Sequence, residues 1–543
     1  MKFKRMLAGL LAVACTTSLL AGCGSTDDNK PSSSESKSEV SKSEVSKSDS
    51  SSAVADDKVT VTYPLEEEVT LTIAMIEEGQ YGAQNFKDIS ETPFFEEWEK
   101  ATGVNIVVDQ YTDSTAMNLM FAGGELPDII YFNFASYNGG ITKALKDKII
   151  EPLNDYMEYA PDLQALFDSN DVYRKSATTS DGSILGFPFV RGDKRMLNSL
   201  GFIVRQDYLD KVGEELPVTV DDFYRVLTKF RDELDLASPF SLMPSYLSTF
   251  GLGAGILTSP FDLPKCDFYV EDGKVHYGFY EKELKDVLTF LHKLYDEDLL
   301  DKNFATVDTA TARANMMNGV SGITIDLAGG GMGTAFTAMQ DDPEFDLSGF
   351  SSLVAKEGDV AMSCHYDNPV TSYYTVITPQ CKNKEAAVAF LNYGYTQAGH
   401  DLMNYGIEGV NYTKGENGEV VYNTELESYS VPYHRGWSGF PFVQEAQIDT
   451  LLDQQKQAKA AWVVSDVEKY QLPALAIPEE YSSEYSKIMG DVGTFTFEMT
   501  VKFINGEVDI DNFETAYLAE LKKMGVERAI EIIQIALDEY NSR

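Results

Sequence analysis

From Val69 onward, short apolar runs of strand length alternate with stretches whose apolar residues recur at helical spacing. This alternation limits the fold more than any other feature of the chain. Residues 69–73 (Val-Thr-Leu-Thr-Ile) suit a buried strand. A helix is predicted over 93–102, with Thr92 placed to cap it, Pro93 at its first position and Gly103 just past its end. Residues 104–108 and 128–131 read as a second and third strand, the latter after a turn at Gly123-Gly124-Glu125-Leu126-Pro127. Further on, Thr219 and Asp222 form a capping-box pattern for a helix reaching about Glu233. Leu284, Leu288, Leu291 and Tyr295 mark one face of a helix over 283–295. Residues 322–325 and 374–377 are strand-like, and the end of the chain is helical over 513–524 and 527–540, with a stop at Gly525. Strand–helix–strand rhythm is that of an α/β layer with parallel strands. With 543 residues the chain exceeds what one hydrophobic core serves, so two or more domains are expected. No long internal repeat is evident.

The N-terminal part follows different rules. A basic start (Lys2, Lys4, Arg5) leads into an apolar run over 6–20 that is too short for a membrane-spanning helix. Small residues close it at Leu20-Ala21-Gly22-Cys23, which resembles a bacterial lipobox. That resemblance implies a lipoprotein signal peptide over 1–22, cleavage after Gly22, and acylation of Cys23. Residues 24–57 then collapse to Ser, Lys, Glu and Asp, with Ser-Lys-Ser-Glu-Val occurring twice in a row over 36–45. Such a stretch has no apolar face with which to offset its ordering entropy, so 23–68 is expected to be a disordered tether. Cys266, Cys364 and Cys381 remain, an odd number without a C-x-x-C pair. The sequence does not pair them, and buried free thiols are the expectation.

Charge and motif content exclude several functions. Acidic residues outnumber basic ones 86 to 44, for a net charge of −42, and no basic stripe with interleaved aromatics is present. Nucleic acid is therefore not an expected partner. The five histidines (His276, His292, His365, His400, His434) fall at no metal-ligand spacing, and no nucleophile elbow appears. No catalytic residue, metal site or cofactor is assigned. Gly329-Gly330-Gly331-Met332-Gly333 follows a strand but places Thr334 where a dinucleotide fingerprint needs its third Gly. It reads as a flexible loop that lets a ligand approach the backbone.

Several segments together resemble family 1 extracellular solute-binding proteins of ABC importers, within the large, lipid-anchored, oligosaccharide-binding branch. They are 124–130 (Gly-Glu-Leu-Pro-Asp-Ile-Ile), 201–210 (Gly-Phe-Ile-Val-Arg-Gln-Asp-Tyr-Leu-Asp), 216–224 (Leu-Pro-Val-Thr-Val-Asp-Asp-Phe-Tyr) and 294–300 (Leu-Tyr-Asp-Glu-Asp-Leu-Leu). The most specific is 384–391 (Lys-Glu-Ala-Ala-Val-Ala-Phe-Leu) leading into 404–412 (Asn-Tyr-Gly-Ile-Glu-Gly-Val-Asn-Tyr). The resemblance implies an α/β, two-lobed periplasmic-binding-protein-like fold of type II, with several hinge crossings and a ligand cleft between the lobes. Lobe 1 would hold 69–192 and 375–412, lobe 2 193–374 and 413–543, with the first crossing near 186–191. Many members of the branch carry a calcium-binding-like loop after the helix that ends near Glu233. Residues 231–240 (Arg-Asp-Glu-Leu-Asp-Leu-Ala-Ser-Pro-Phe) lack its alternating oxygen ligands and turn Gly.

A sugar cleft requires flat aromatic faces and planar polar side chains. Trp437, with Tyr433 and Arg435, sits in a loop-like aromatic cluster without core periodicity and is the candidate stacking platform, whereas Trp98 and Trp462 read as structural. Position within the resembling family adds Glu77 and Gln80 after the first strand, and Phe132, Asn133 and Tyr137 at a lobe edge. It also adds Arg191 and Asp193 after the first crossing, and Tyr246 and Asp326 on the second lobe. Glu408 reads as a ligand contact or a hinge-supporting carboxylate. The resulting expectation is a monomeric binding protein, lipid-anchored on the extracellular face, that delivers an oligosaccharide to permease subunits without chemistry. The alternatives are the same fold tuned to a peptide or other solute, and a surface glycoside-active enzyme.

Overall fold

The computed structural model describes residues 60–76, 89–362, 367–423, 439–464 and 466–543. The expected signal peptide, Cys23, residues 24–59 of the expected tether, Cys364 and the candidate residues Glu77, Gln80, Tyr433, Arg435 and Trp437 lie outside them. Residues 60–68, expected to belong to the disordered tether, instead pack on the first core, with Tyr63 donating to Ala389 O at 2.6 Å and Leu65 N to Thr102 O at 2.8 Å. Residues Lys58–Arg543 form one compact unit.

Among the described residues, thirteen strands are distributed over two sheets and two hairpins. The larger sheet holds β1 (Val69–Ile76), β2 (Val104–Tyr111), β3 (Ile129–Asn133), β4 (Phe187–Arg191), β10 (Val370–Ile377) and β13 (Val443–Gln444). Its order is β13-β4-β10-β3-β1-β2. The smaller sheet is β8-β5-β9, from β5 (Leu200–Arg205), β8 (Ile323–Leu327) and β9 (Leu347–Phe350). Hairpins β6 (Phe268–Glu271) with β7 (Lys274–Tyr277), and β11 (Tyr412–Lys414) with β12 (Val420–Tyr422), complete the set.

β1 and β2 run parallel in unbroken register from Val69 opposite Val104 to Ile76 opposite Tyr111, and β1 is parallel to β3. The parallel α/β layer read from the sequence is present. The helix Pro93–Thr102 has the expected bounds and ends on Gly103 in the left-handed region (φ 75°), where a Cβ would be strained. Thr92 makes no side-chain cap; its carbonyl accepts from Glu96 N while the residue is buried. A helix over Ser114–Gly123, absent from the sequence reading, joins β2 to β3 and is capped by Asp113 Oδ1 accepting from Ala116 N at 2.9 Å. Trp98 is core, as expected, stacked 4.4 Å from Phe390 and tilted against Phe440.

The second core gathers around the helices Val220–Leu234 and Leu284–Asp296, β5, β8, and a 26-residue helix Glu479–Ile504. Thr219 and Asp222 close the capping box reciprocally at 3.0 and 3.1 Å. On the helix Leu284–Asp296 the buried side chains are Leu284, Val287, Leu288, Leu291 and Leu294, so the stripe runs through Leu294 and Tyr295 flanks it. Within residues 231–240, Arg231 donates to Glu297 O at 2.7 Å and pairs with Asp232. Trp462 is structural, fully buried with Nε1 donating to Phe202 O at 3.2 Å. Cys266 and Cys381 are free and buried.

Two chain boundaries differ from expectation. β10 begins at Val370, paired with Val190, so 370–374 belong to the larger sheet and not to lobe 2. Phe440 and Phe442 pack in the first core and β13 adds to β4, so 440–444 belong with the larger sheet and not with lobe 2.

Candidate functional site

The two sheets are joined where β4 runs out at Arg191, where 367–369 enters β10, and where β13 leads into the helix Asp453–Trp462. These crossings are tied together by polar side chains. Lys459 Nζ donates to Arg195 O at 3.0 Å and Asn198 O at 2.8 Å, binding the third crossing to the first. Burial, reinforced by the Arg191 charge, pushes Lys459 down to about 8. Asn404 donates to Val443 O at 2.9 Å and accepts from Glu445 N at 2.9 Å, holding the start of the third crossing. Asp193 accepts from the Arg195 backbone at 2.8 Å and side chain at 3.1 Å. The Arg195 guanidinium holds its carboxyl below the usual carboxylate range.

A cavity of about 320 Å³ opens against these crossings. Arg191 and Asp367 form an ion pair on its wall, at 25% and 36% side-chain exposure, and Phe189, Tyr373 and Ser372 line it. Ser372 Oγ donates to Asn133 Oδ1 at 2.6 Å, which places Asn133 at the cavity's edge. Thus Asn133 and Arg191 lie on one cavity, and Asp193 is held on the adjoining crossing. Phe132 does not join them: it is 1% exposed, edge-on to Phe121 and Phe134 in the first core. Side chains alternate along β3, so the residue next to an edge position points inward. Tyr137 packs edge-on to Phe121 and donates to Asp147 Oδ2 at 2.7 Å.

On the second lobe, Asp326 is 3% exposed and both its oxygens take Arg313, at 2.8 and 2.9 Å. Asp326 therefore does not face solvent as a free carboxylate. It orients Arg313, with half-buried Tyr246 beside them. Gly331 is required by this arrangement: a Cβ there would lie 2.5 Å from Asp326 Cγ. The glycine run expected to be a flexible loop is a wide helical turn, Ala328–Gly333, with Gly331 and Met332 buried.

Tyr246 opens another wide turn, Tyr246–Gly253, a backbone form that recurs at functional sites. A second cavity, about 260 Å³, lies between this turn and the helix Glu479–Ile504. Thr249, Asp267, Tyr277, Thr496 and Thr500 supply its polar groups, and Phe497 contributes an aromatic face 37% exposed to solvent. Neither this wall nor Arg313, Asp367 and Tyr373 was singled out in the sequence. An exposed Phe within a helical pattern, and an Arg in the otherwise uncharged Thr309–Met317, were the available signals. Glu408 is exposed and lines a separate groove of about 480 Å³ on the first lobe with Asp401, Tyr412 and Lys414, apart from the Arg191 cavity. Among the described residues no group of three or more His, Cys, Asp or Glu side chains could hold a metal, and no helix is long and apolar enough to cross a membrane.

Two α/β lobes joined by several crossings, with a cavity at the junction, define a two-domain periplasmic-binding-protein-like fold. The chain belongs to the bacterial extracellular solute-binding protein family, whose model matches residues 83–401. It is 27% identical over 456 residues to lipoprotein LipO of Bacillus subtilis, covering 78% of this chain and 85% of that one. The Streptococcus pneumoniae fructooligosaccharide ABC transporter substrate-binding protein FusA is 28% identical over 56% of this chain and 54% of its own length. The B. subtilis polygalacturonan/rhamnogalacturonan-binding protein YtcQ is 25% identical over 59% of this chain and 64% of its own. Among solved structures, FusA in complex with kestose superposes with a TM-score of 0.67 at 20% identity, covering 87% of this chain and 99% of that one. An HMO-binding, ABC-transporter-associated protein from Bifidobacterium longum infantis gives 0.69 at 15% identity, covering 88% of this chain and 100% of that one.

Proposed function

We propose that the protein is the substrate-binding component of an ABC importer, tethered to the outer face of the membrane through acylated Cys23. It captures an extracellular oligosaccharide between its lobes and hands it to permease subunits, as a monomer and without chemistry. The observation that carries this reading is the cavity at the crossings. Arg191 and Asp367 present donors beside acceptors there, next to the aromatic side chains of Phe189 and Tyr373. That combination suits a pyranose or furanose ring with paired hydroxyls. FusA and YtcQ, by their names, bind oligo- or polysaccharides, which supports the same solute class. Ligand held by both lobes would favour the closed form by its differential affinity.

Thermal shift against oligosaccharides and peptides tests the solute class. A ligand specific to the folded state stabilises it by about 2.7 kcal/mol at a hundredfold excess over its dissociation constant. A rise with a glycan that is lost in Arg191→Ala is the expected result; a rise with peptides alone refutes the sugar assignment. Anchoring is tested separately: Cys23→Ala is expected to release the protein from the membrane fraction into the medium.

A further inference from the structure

The cavity in the second lobe is built independently of the crossings. One wall is a single face of the helix Glu479–Ile504. Gly493, Thr496, Phe497 and Thr500 follow the i, i+3, i+4, i+7 spacing that keeps side chains on one side of a helix. The wide turn Tyr246–Gly253 faces them through Ser248 and Thr249. Asp267, just before β6, and Tyr277, at the end of β7, close the remaining side. None of the lining residues is shared with the Arg191 cavity. Glu479 touches the first lobe through Lys146, and Gly493 stands roughly 21 Å further along the helix at about 1.5 Å per residue.

Individual residues of this wall suit a ligand better than they suit packing. Thr500 is 2% exposed, lines the cavity, and its Oγ1 has no hydrogen-bond partner among the described residues. A buried hydroxyl is costly to leave unpaired, so its retention calls for a partner in the cavity. Glycine weakens a helix interior, yet a Cβ on Gly493 would meet no atom within 4 Å. Packing does not demand this glycine, whereas open room in the cavity does. Thr496 Oγ1 donates to Gly493 O at 3.0 Å and keeps its lone pairs as acceptors. Asp267 Oδ1 accepts from Phe268 N at 2.7 Å, which holds the carboxylate in place. Phe497 offers an aromatic face at the rim.

The cavity's volume, about 260 Å³, lies just under the roughly 300 Å³ at which ligand pockets begin. A sugar ring matches both its size and its chemistry. The apolar side of the ring stacks on Phe497, while its hydroxyls donate to the charged acceptor Asp267 and pair with the threonines. A wholly apolar ligand would leave Asp267 and Thr500 unsatisfied.

We infer that the second lobe carries a sugar-binding site for a single ring, separate from the cavity at the crossings. This rests on the oligosaccharide reading above. A ligand held by one lobe makes the same contacts in the open and closed forms, so this site does not drive closure.

The experiment is calorimetric titration of the purified protein with fructo-, gluco- and manno-oligosaccharides and with a peptide panel. Wild type, Arg191→Ala, Gly493→Leu and Thr500→Val are compared. Wild type is expected to show two classes of site for one of the sugar series. Arg191→Ala loses the tighter class and keeps the weaker. Gly493→Leu fills the second cavity, so it weakens the weaker class about tenfold or more. The tighter class stays within about twofold, as expected for distant sites. Thr500→Val keeps the side chain's shape and weakens the second class about threefold or more, the loss of one neutral hydrogen bond. Neither variant is expected to melt below wild type, because leucine suits a helix better than glycine and valine removes an unpaired hydroxyl. A single class of site, or two classes that both variants leave unchanged, overturns the inference and leaves the oligosaccharide reading intact. A lower melting temperature in both variants makes Gly493 and Thr500 packing residues and likewise overturns it. Binding of peptides alone, or of no glycan, overturns both.

Discussion

Lys459 shows at the residue scale how a crossing is secured. Its ammonium is buried between carbonyls of the first crossing, and burial pushes it from its ordinary 10.5 down to about 8. Between those pH values the unfolded chain binds the proton more fully than the folded one, so this group makes stability rise with pH across that window. Below about pH 8 both states hold the proton and its penalty is constant. Lys459→Met is expected to abolish this rise, measured as the change in melting temperature between pH 8 and 10; an unchanged slope would mean the ammonium is not desolvated. Arg313 and Asp326 pose a different residue-scale question, because the carboxylate is already spent on the guanidinium. Asp326→Asn is expected to free Arg313 from its fixed orientation and weaken ligand binding about tenfold, at the scale of one charged hydrogen bond, with titration as the readout.

At the element scale, Val220–Leu234 was legible from its cap and Leu284–Asp296 from its apolar stripe, whereas Ser114–Gly123 was missed despite its Asp113 cap. The helix Val220–Leu234 announces itself through Thr219 and Asp222, which satisfy two backbone donors at its start. Backbone hydrogen bonding to Thr219 pulls the Asp222 carboxyl down to about 2. Thr219→Ala is expected to cost about 1 kcal/mol of stability, measured by denaturant unfolding. The helix Glu479–Ile504, 26 residues long, was not read from the sequence although Tyr485, Ile488, Met489 and Val492 recur at helical spacing. Its fully buried residues begin only at Val492, and in its first half Tyr485, Ile488 and Met489 pack partly buried while Gly490 and the polar residues around them dilute the stripe. β13 is two residues long and pairs only because β4 is already in place, so no local pattern marks it.

At the scale of the whole molecule, the last helix, Val526–Ser542, packs in the second lobe through Val526 and Ile530 and reaches the first at its end. Arg543 Nη1 donates to Thr178 O at 2.7 Å and Lys175 O at 3.2 Å, and Tyr374 of β10 donates to Ser176 O in the same segment at 2.8 Å. Lys146 pairs with Glu479 across the same side. These contacts lie beside the crossing strand β10 and restrain the lobes near it. Arg543→Ala is expected to remove about 1.5 kcal/mol of interlobe contact. Faster amide exchange over 171–185 with unchanged exchange in β5 and β8 would show it; uniform acceleration would instead indicate global destabilisation.

The sequence by itself determined the α/β class, the parallel start of the first sheet, the family, and the structural roles of Trp98 and Trp462. Each of these is written in local periodicity, capping residues or contiguous motifs. Only the tertiary structure decided which candidates share a cavity. It brought Arg191 to Asp367 and Asn133 to Ser372, turned Phe132 into the core, and committed Asp326 to Arg313. Those pairs are separated by 176, 239 and 13 positions, and a side chain's partner across such distances depends on how the sheets cross, which no short-range pattern encodes.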